Sequence, residues 1–270
     1  MTLSELWALA MTELPLAGVG VLVTRPEHQA HDLVNAIERS GGSAHLFPTL
    51  QIIARDAADI AADVSKLSNP DIAIFVSSNA VRFGLSYAAN ARVAVVGPAT
   101  ATAIEAAGRA VDIRAERGFD SEHLLQALQQ LEVAGKTVRI IRGQDGRELL
   151  AEALRERGAV VEYLSVYERL LPEYAAQTIN SIAAKWRCGD IDVVTAMSVA
   201  SFNNLVALLP DSVRELLAGT PLVTPATRVL KEALNQFPNL PVILADAPDA
   251  DEIVKAIVAT TGAAGQTAPG

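Results

Sequence analysis

Val160-Val161-Glu162-Tyr163-Leu164-Ser165-Val166-Tyr167-Glu168-Arg169-Leu170-Leu171-Pro172 alternates apolar and polar side chains and runs without a turn signal into a proline. That pattern predicts one long strand with a proline-marked exit. His45-Leu46-Phe47-Pro48-Thr49-Leu50-Gln51-Ile52-Ile53-Ala54 has the same extended character. The two segments are expected to be the only crossings between two lobes, at 51–53 and 168–170. Lobe 1 is then discontinuous (1–50 with 171–260) and lobe 2 is inserted (54–167), with a tail at 261–270 expected to be disordered. Tyr167 is placed at the mouth of a ligand cleft between the lobes.

The flanking chain reads as strand and helix in alternation. Val19-Gly20-Val21-Leu22-Val23-Thr24-Arg25-Pro26 is a buried strand stopped by proline, and Ala30, Leu33, Val34 and Ile37 mark the helix behind it. Further strands are expected at Ile72–Val76, Val93–Val96, Val111–Ile113, Val138–Arg142, Ile191–Thr195, Leu222–Thr224 and Val242–Leu244. Helices are expected over 60–67, 101–107, 122–131 (capped by Asp120 or Ser121), 147–157, 175–185, 199–208, 228–234 and 253–259. Such alternation argues for parallel sheets covered by helices.

An internal repeat supports two lobes. Asp71-Ile72-Ala73-Ile74-Phe75-Val76-Ser77-Ser78 resembles Asp190-Ile191-Asp192-Val193-Val194-Thr195-Ala196-Met197-Ser198. Gly97-Pro98-Ala99-Thr100 resembles Thr224-Pro225-Ala226-Thr227, Asp120-Ser121-Glu122 resembles Asp249-Ala250-Asp251-Glu252, and Thr24-Arg25-Pro26 matches Ile141-Arg142-Gly143. One copy is a cyclic permutation of the other. The first lobe starts, leaves after two strands and finishes only when the second is complete.

Composition narrows the function. The chain of 270 residues is 50% hydrophobic but 4% aromatic, as expected for Ala/Val/Leu/Ile cores around parallel strands. A net charge of −9 without a basic run argues against nucleic acid and anionic membrane surfaces as partners. Cys188 is the single cysteine, so no intramolecular disulfide forms. The first sixteen residues carry Glu5 and Glu13 but no Lys or Arg, unlike a signal peptide, and a cytoplasmic location is expected. Gly18-Val19-Gly20 precedes its strand rather than following it, and Gly143-Gln144-Asp145-Gly146-Arg147 lacks a Gly-Lys-Ser/Thr, so neither is a nucleotide fingerprint. His28 and His31 share a helix face without completing a metal set. Neither a metal nor a cofactor is called for.

In open parallel sheets ligands bind beyond the carboxyl ends of the strands. Those ends carry Thr24, Ser77, Ser78, Asn79, Gly97, Thr100, Gly143, Ser198 and Thr227, each ahead of a helix start where backbone N–H groups favour anions. Arg25 and Arg142 occupy equivalent strand ends and can each grip a carboxylate in two-pronged fashion. The set suits a polyanionic small molecule. For each hydroxyl the alternative is a plain helix cap, and for each arginine a structural ion pair.

The ordered set Val21-Leu22-Val23-Thr24-Arg25-Pro26, Phe75-Val76-Ser77-Ser78-Asn79-Ala80-Val81, Val96-Gly97-Pro98-Ala99-Thr100-Ala101, Phe119-Asp120-Ser121-Glu122, Ile141-Arg142-Gly143 with Gly146-Arg147-Glu148-Leu149-Leu150, and Val166-Tyr167-Glu168-Arg169 resembles the uroporphyrinogen-III synthases, of the divergent proteobacterial type. The resemblance runs from about Gly20 to Ala259. It implies two flavodoxin-like or Rossmann-like lobes joined by a two-stranded β ladder. It also implies cyclisation of hydroxymethylbilane, through an azafulvene and a spiro intermediate, with inversion of the end ring and release of water. The family tyrosine falls on Tyr167, where it would assist departure of the hydroxyl. A monomer, with transient contact to hydroxymethylbilane synthase, is expected. The readings from other classes are a two-lobed binding or sensor protein without turnover, and an inactive relative retaining only the fold.

Overall fold

The computed structural model describes residues 14–114, 121–129, 131–144 and 148–264. The chain divides into two compact units, one formed by Met1–Gln51 with Leu171–Gly270 and the other by Ile52–Leu170. Each holds a parallel-dominated sheet between layers of helices, which is the α/β class expected from the strand pattern.

In the discontinuous unit, β1 (Gly20–Val23), β2 (Ser43–Leu46), β9 (Val193–Thr195), β10 (Leu222–Thr224) and β11 (Val242–Leu244) lie in the order β11-β10-β9-β1-β2, all pairs parallel. The central strands are buried on both faces, so they read as apolar runs instead of alternating. Helices α1 (Glu27–Arg39) and α11 (Ala250–Ala264) cover one face through Leu33, Ile37, Ile253 and Ile257. The other face carries α7 (Ala176–Arg187), α8 (Val199–Leu208), α9 (Asp211–Gly219) and α10 (Thr227–Gln236), packed through Trp186, Phe202, Leu217 and Val229. Each such fully buried large side chain contributes about 1.5–3 kcal/mol. α1 ends where Gly41 takes φ +88 and the N–H groups of Gly41 and Gly42 close back on Glu38 and Ile37.

The inserted unit contains β3 (Gln51–Ala54), β4 (Ile72–Phe75), β5 (Arg92–Val95), β6 (Ile113–Arg114), β7 (Thr137–Gly143) and β8 (Val160–Leu170), in the order β3-β8-β7-β4-β5-β6. Helices α2 (Ala57–Val64), α3 (Ser78–Gly84) and α4 (Pro98–Ala106) pack on one face through Ile60, Val81 and Ile104. α5 (Ser121–Gln129) and α6 (Leu149–Glu156) pack on the other through Leu124, Leu128 and Leu154. With the edge strand β3 set aside and β7 and β8 taken first, the unit's order becomes 2-1-3-4-5, the same as that of β1, β2, β9, β10 and β11. The permuted repeat in the sequence is thus a repeat of sheet topology, and in each unit it sets one switch point, at β1/β9 and at β7/β4.

Several expectations are corrected. His45–Ala54 is not one strand: β2 and β3 belong to different sheets, and Phe47 between them turns into the core to stack on Tyr174 at 4.7 Å. Pro48 has no N–H to donate to a ladder, so pairing stops there. Helix α9 is not among the helices expected from the sequence, although Val213 and Leu217 bury its inner side at helical spacing. The short strand at Val111–Ile113 is Ile113–Arg114. Helix α11 continues to Ala264, so 261–264 are helical and not a disordered tail; Thr260 and Thr261 donate to the carbonyls of Ala256 and Ile257. The rest of the expected tail, Asp120 as a cap, and Gly146 and Arg147 lie outside the described residues. Among the described residues no helix is long and apolar enough to cross a membrane.

Candidate functional site

The inserted unit builds its switch point around Tyr167. Strand β8 alternates regularly at first, with Tyr163 on the α5/α6 face and Leu164 on the α2/α3/α4 face. A register shift then intervenes: Arg142 pairs with Ser165, but the next residue, Gly143, pairs with Tyr167. This β-bulge moves Tyr167 to the face opposite Tyr163, among Phe75, Ala80, Ile141 and Val166. Arg55 takes up the freed carbonyls, its backbone N–H donating to Val166 and its guanidinium to Ser165, while Asp63 holds that guanidinium at 3.0 Å. The same arginine keeps the Asp63 carboxyl below the usual range, chiefly by its hydrogen bond.

The re-aimed ring has no exposed surface. Phe83 lies 6.2 Å away by ring centroids. A Cβ on Gly143 would stand 2.8 Å from the tyrosine Cε2. The Tyr167 hydroxyl lies 3.1 Å from Ser77 Oγ and accepts from Arg169 at 3.2 Å. Ser77 follows β4 in extended conformation and caps α3, its Oγ accepting from the Ala80 N–H at 3.1 Å.

On the opposite face of the same strand ends, Arg142 lies over the Tyr163 ring at 4.1 Å and donates to Glu148 at 3.1 Å. Tyr163 donates to the other Glu148 oxygen at 2.5 Å. That bond, followed by Arg142, holds the Glu148 carboxyl below its ordinary value. Burial, then Glu148, pushes the Tyr163 hydroxyl up. Arg142 is 12% exposed, and its Nε has no partner among the described residues. Ser78 and Gly97 are half-buried, while Asn79 and Thr100 are buried.

The discontinuous unit places Arg25 and Ser198 at its own switch point. Arg25 donates to Met197 Sδ at 3.2 Å and to the Pro248 carbonyl, while its buried Nε has no partner among the described residues. Burial pulls its guanidinium below the ordinary value, opposed by Asp32 and Asp249. Ser198 caps α8 by accepting from Ser201 N–H and also meets Ser201 Oγ at 3.0 Å. Thr227 is exposed at the start of α10.

Two candidates take a different place from that expected. Thr24 is fully buried and donates to the Thr195 carbonyl at 2.6 Å, so its hydroxyl ties strands β1 and β9. Tyr167 is enclosed, and only Ser77 and Arg169 reach its hydroxyl among the described residues. The sequence by itself assigns no role to Arg169, Glu148 or Tyr163. Arg169 was legible as the cation two residues beyond Tyr167 on a strand, whereas Glu148 and Tyr163 gave no local signal. Among the described residues no group of three His, Cys, Asp or Glu side chains is able to hold a metal ion.

Residues 31–255 match the protein family described as Uroporphyrinogen-III synthase HemD. The uroporphyrinogen-III synthase of Salmonella typhimurium is 30% identical over 207 residues, covering 73% of this chain and 82% of the relative. That of Escherichia coli is 27% identical over 250 residues, covering 88% and 100%. Among solved structures, uroporphyrinogen-III synthetase of Helicobacter pylori matches with a TM-score of 0.61 at 13% identity over 90% of this chain and 99% of the other. A mutant uroporphyrinogen III synthase of Thermus thermophilus matches with a TM-score of 0.59 at 18% identity over 91% and 99%. At those identities the two structures speak for the fold. With the match spanning both units and the Tyr167 and Ser77 motifs, the chain belongs to the uroporphyrinogen-III synthase family.

Proposed function

We infer that this chain is a uroporphyrinogen-III synthase, a cyclising lyase that converts hydroxymethylbilane to uroporphyrinogen III and water. The observation that carries this is the family match over residues 31–255, which takes in strand ends from both units. The linear substrate loses its terminal hydroxyl to give an azafulvene. The end ring attacks through its substituted carbon, and the spiro intermediate fragments and recloses with that ring inverted. Much of the required rate enhancement comes from holding a flexible tetrapyrrole in a cyclisable arrangement.

Tyr167 is the origin of the proton that reaches the departing hydroxyl in this proposal, supported by its bonds to Ser77 and Arg169. Arg25, Arg142, Ser78, Asn79, Gly97, Thr100, Gly143, Ser198 and Thr227 are proposed to serve the substrate's acetate and propionate arms, directly or by shaping the strand ends. Arg142 must exchange Glu148 for a substrate carboxylate to do so. The enzyme is proposed to act in the cytoplasm as a monomer, with transient contact to hydroxymethylbilane synthase.

The test generates hydroxymethylbilane in place, adds this protein, oxidises the products and separates the type I and type III isomers. Conversion to type III is expected. Type I at the ratio found without the protein overturns the assignment.

A further inference from the structure

A fully buried tyrosine cannot itself touch a substrate hydroxyl, and the hydrogen bonds around Tyr167 indicate how its proton leaves. Arg169 has only donors, so its N–H at 3.2 Å occupies a lone pair of the Tyr167 oxygen. The phenolic hydrogen needs an acceptor, because Tyr167 has no exposed surface. Among the described residues that acceptor is Ser77 Oγ, at 3.1 Å. If Ser77 donated instead, the buried phenolic hydrogen would be left without a partner. Tyr167 is therefore the donor.

Ser77 Oγ already accepts from the Ala80 N–H at 3.1 Å, so the bond from Tyr167 fills its second acceptor position. Its own hydrogen remains uncommitted among the described residues. Tyr167 is closed off, and of its two partners the exposed Arg169 has only donors, so half-buried Ser77 is the end at which the phenolic proton can be handed on. The direction is set throughout: Arg169 N–H to Tyr167 O–H to Ser77 O–H to the outside.

We propose that Ser77 is the catalytic residue that protonates the departing hydroxyl, with Tyr167 refilling it from behind and Arg169 acting as a positioning residue. This rests on the synthase reading. As the substrate C–O bond breaks, its electron pair stays with oxygen, which takes the Ser77 proton and leaves as water. Ser77 Oγ takes the Tyr167 proton in the same motion. The phenolate left behind faces the Arg169 guanidinium, and the positive charge is carried by the pyrrole system. When the ring closes, the free α-carbon of the end ring gives up its hydrogen. That proton returns through Ser77 to Tyr167, and no other reactant is needed.

The experiment compares kcat and KM for Ser77→Thr, Ser77→Asn and Tyr167→Phe with those of the native enzyme, and for the two Ser77 variants combined with Tyr167→Phe. Threonine keeps both the hydroxyl and the helix cap. Asparagine keeps a capping oxygen but cannot accept and pass on a proton, so the fold is retained while the relay is cut. Ser77→Thr is expected within roughly tenfold of native kcat, and Ser77→Asn to lose roughly 10²-fold or more with KM little changed. Ser77→Asn with Tyr167→Phe should be no slower than the slower single variant, because both break one chain. Arg169→Lys should recover most of the kcat that Arg169→Met loses. A near-native Ser77→Asn, or combined losses equal to the product of the single ones, overturns the relay while leaving the synthase reading intact. A native enzyme that yields no type III isomer sinks that reading and the relay with it.

Discussion

The Tyr167 ring lies directly on the backbone of Gly143, its partner across the β8 bulge: a Cβ there would stand 2.8 Å from Cε2 and 2.9 Å from Cζ. Gly143→Ala must therefore push the ring out of its packed position, or shift strand β7. Overpacking of this kind costs about 1–3 kcal/mol. Urea unfolding should show that loss, and kcat should fall with it, since the hydroxyl moves away from Ser77.

Tyr167→Phe separates the hydroxyl from the ring. The packing against Gly143 and Phe83 is kept, Arg169 is exposed and can rehydrate, and Ser77 still caps α3. Stability is expected to fall by only about 1 kcal/mol. Isomer analysis should show a loss in kcat of roughly 10²-fold or more. A variant with native activity would remove the tyrosine from the mechanism.

Thr24 offers the converse case. Because its hydroxyl is spent on the Thr195 carbonyl inside the sheet, Thr24→Val should lower stability by about 1 kcal/mol. Its KM should stay native. A raised KM with unchanged unfolding midpoint would return Thr24 to the substrate.

Arg139 and Glu162 form an ion pair with side chains only 4% and 13% exposed, 3.2 Å apart. Arg139 also donates to the carbonyls of Ser68 and Tyr87, and Glu162 accepts from the Ser68 N–H. Arg139→Met removes one charge and strands the other, at a cost of about 3–5 kcal/mol. Thermal and urea unfolding would measure it, and replacing both residues by apolar ones should cost less.

Acid should weaken the Arg142–Glu148–Tyr163 cluster. The Glu148 carboxyl is lower in the folded protein than in the unfolded chain, so the cluster adds stability above the ordinary glutamate range. It loses that contribution as pH falls through the depressed value. Native protein and Glu148→Gln should differ in unfolding midpoint at neutral pH and converge in acid. Equal separation at all pH values would show that the carboxylate contributes nothing through its charge.

Apolar runs such as Gly20–Val23 and Ile72–Phe75, each followed by a Thr or Ser ahead of a helix, determined the α/β class and the ends of the central strands from the sequence alone. The permuted repeat determined the shared strand order, because each local βα unit carries its own start and stop signals. What only the tertiary structure decided was the direction in which the side chains point. Strict alternation puts Tyr163, Ser165 and Tyr167 on one face, and the bulge opposite Gly143 sends Tyr167 to the other. Burial of Thr24 against Thr195, and capture of Arg142 by Glu148 and Tyr163, likewise depend on which strand ends become neighbours. A bulge depends on where carbonyls such as those of Ser165 and Val166 find partners. Here they find Arg55, more than a hundred residues earlier in the chain, and no local pattern encodes that.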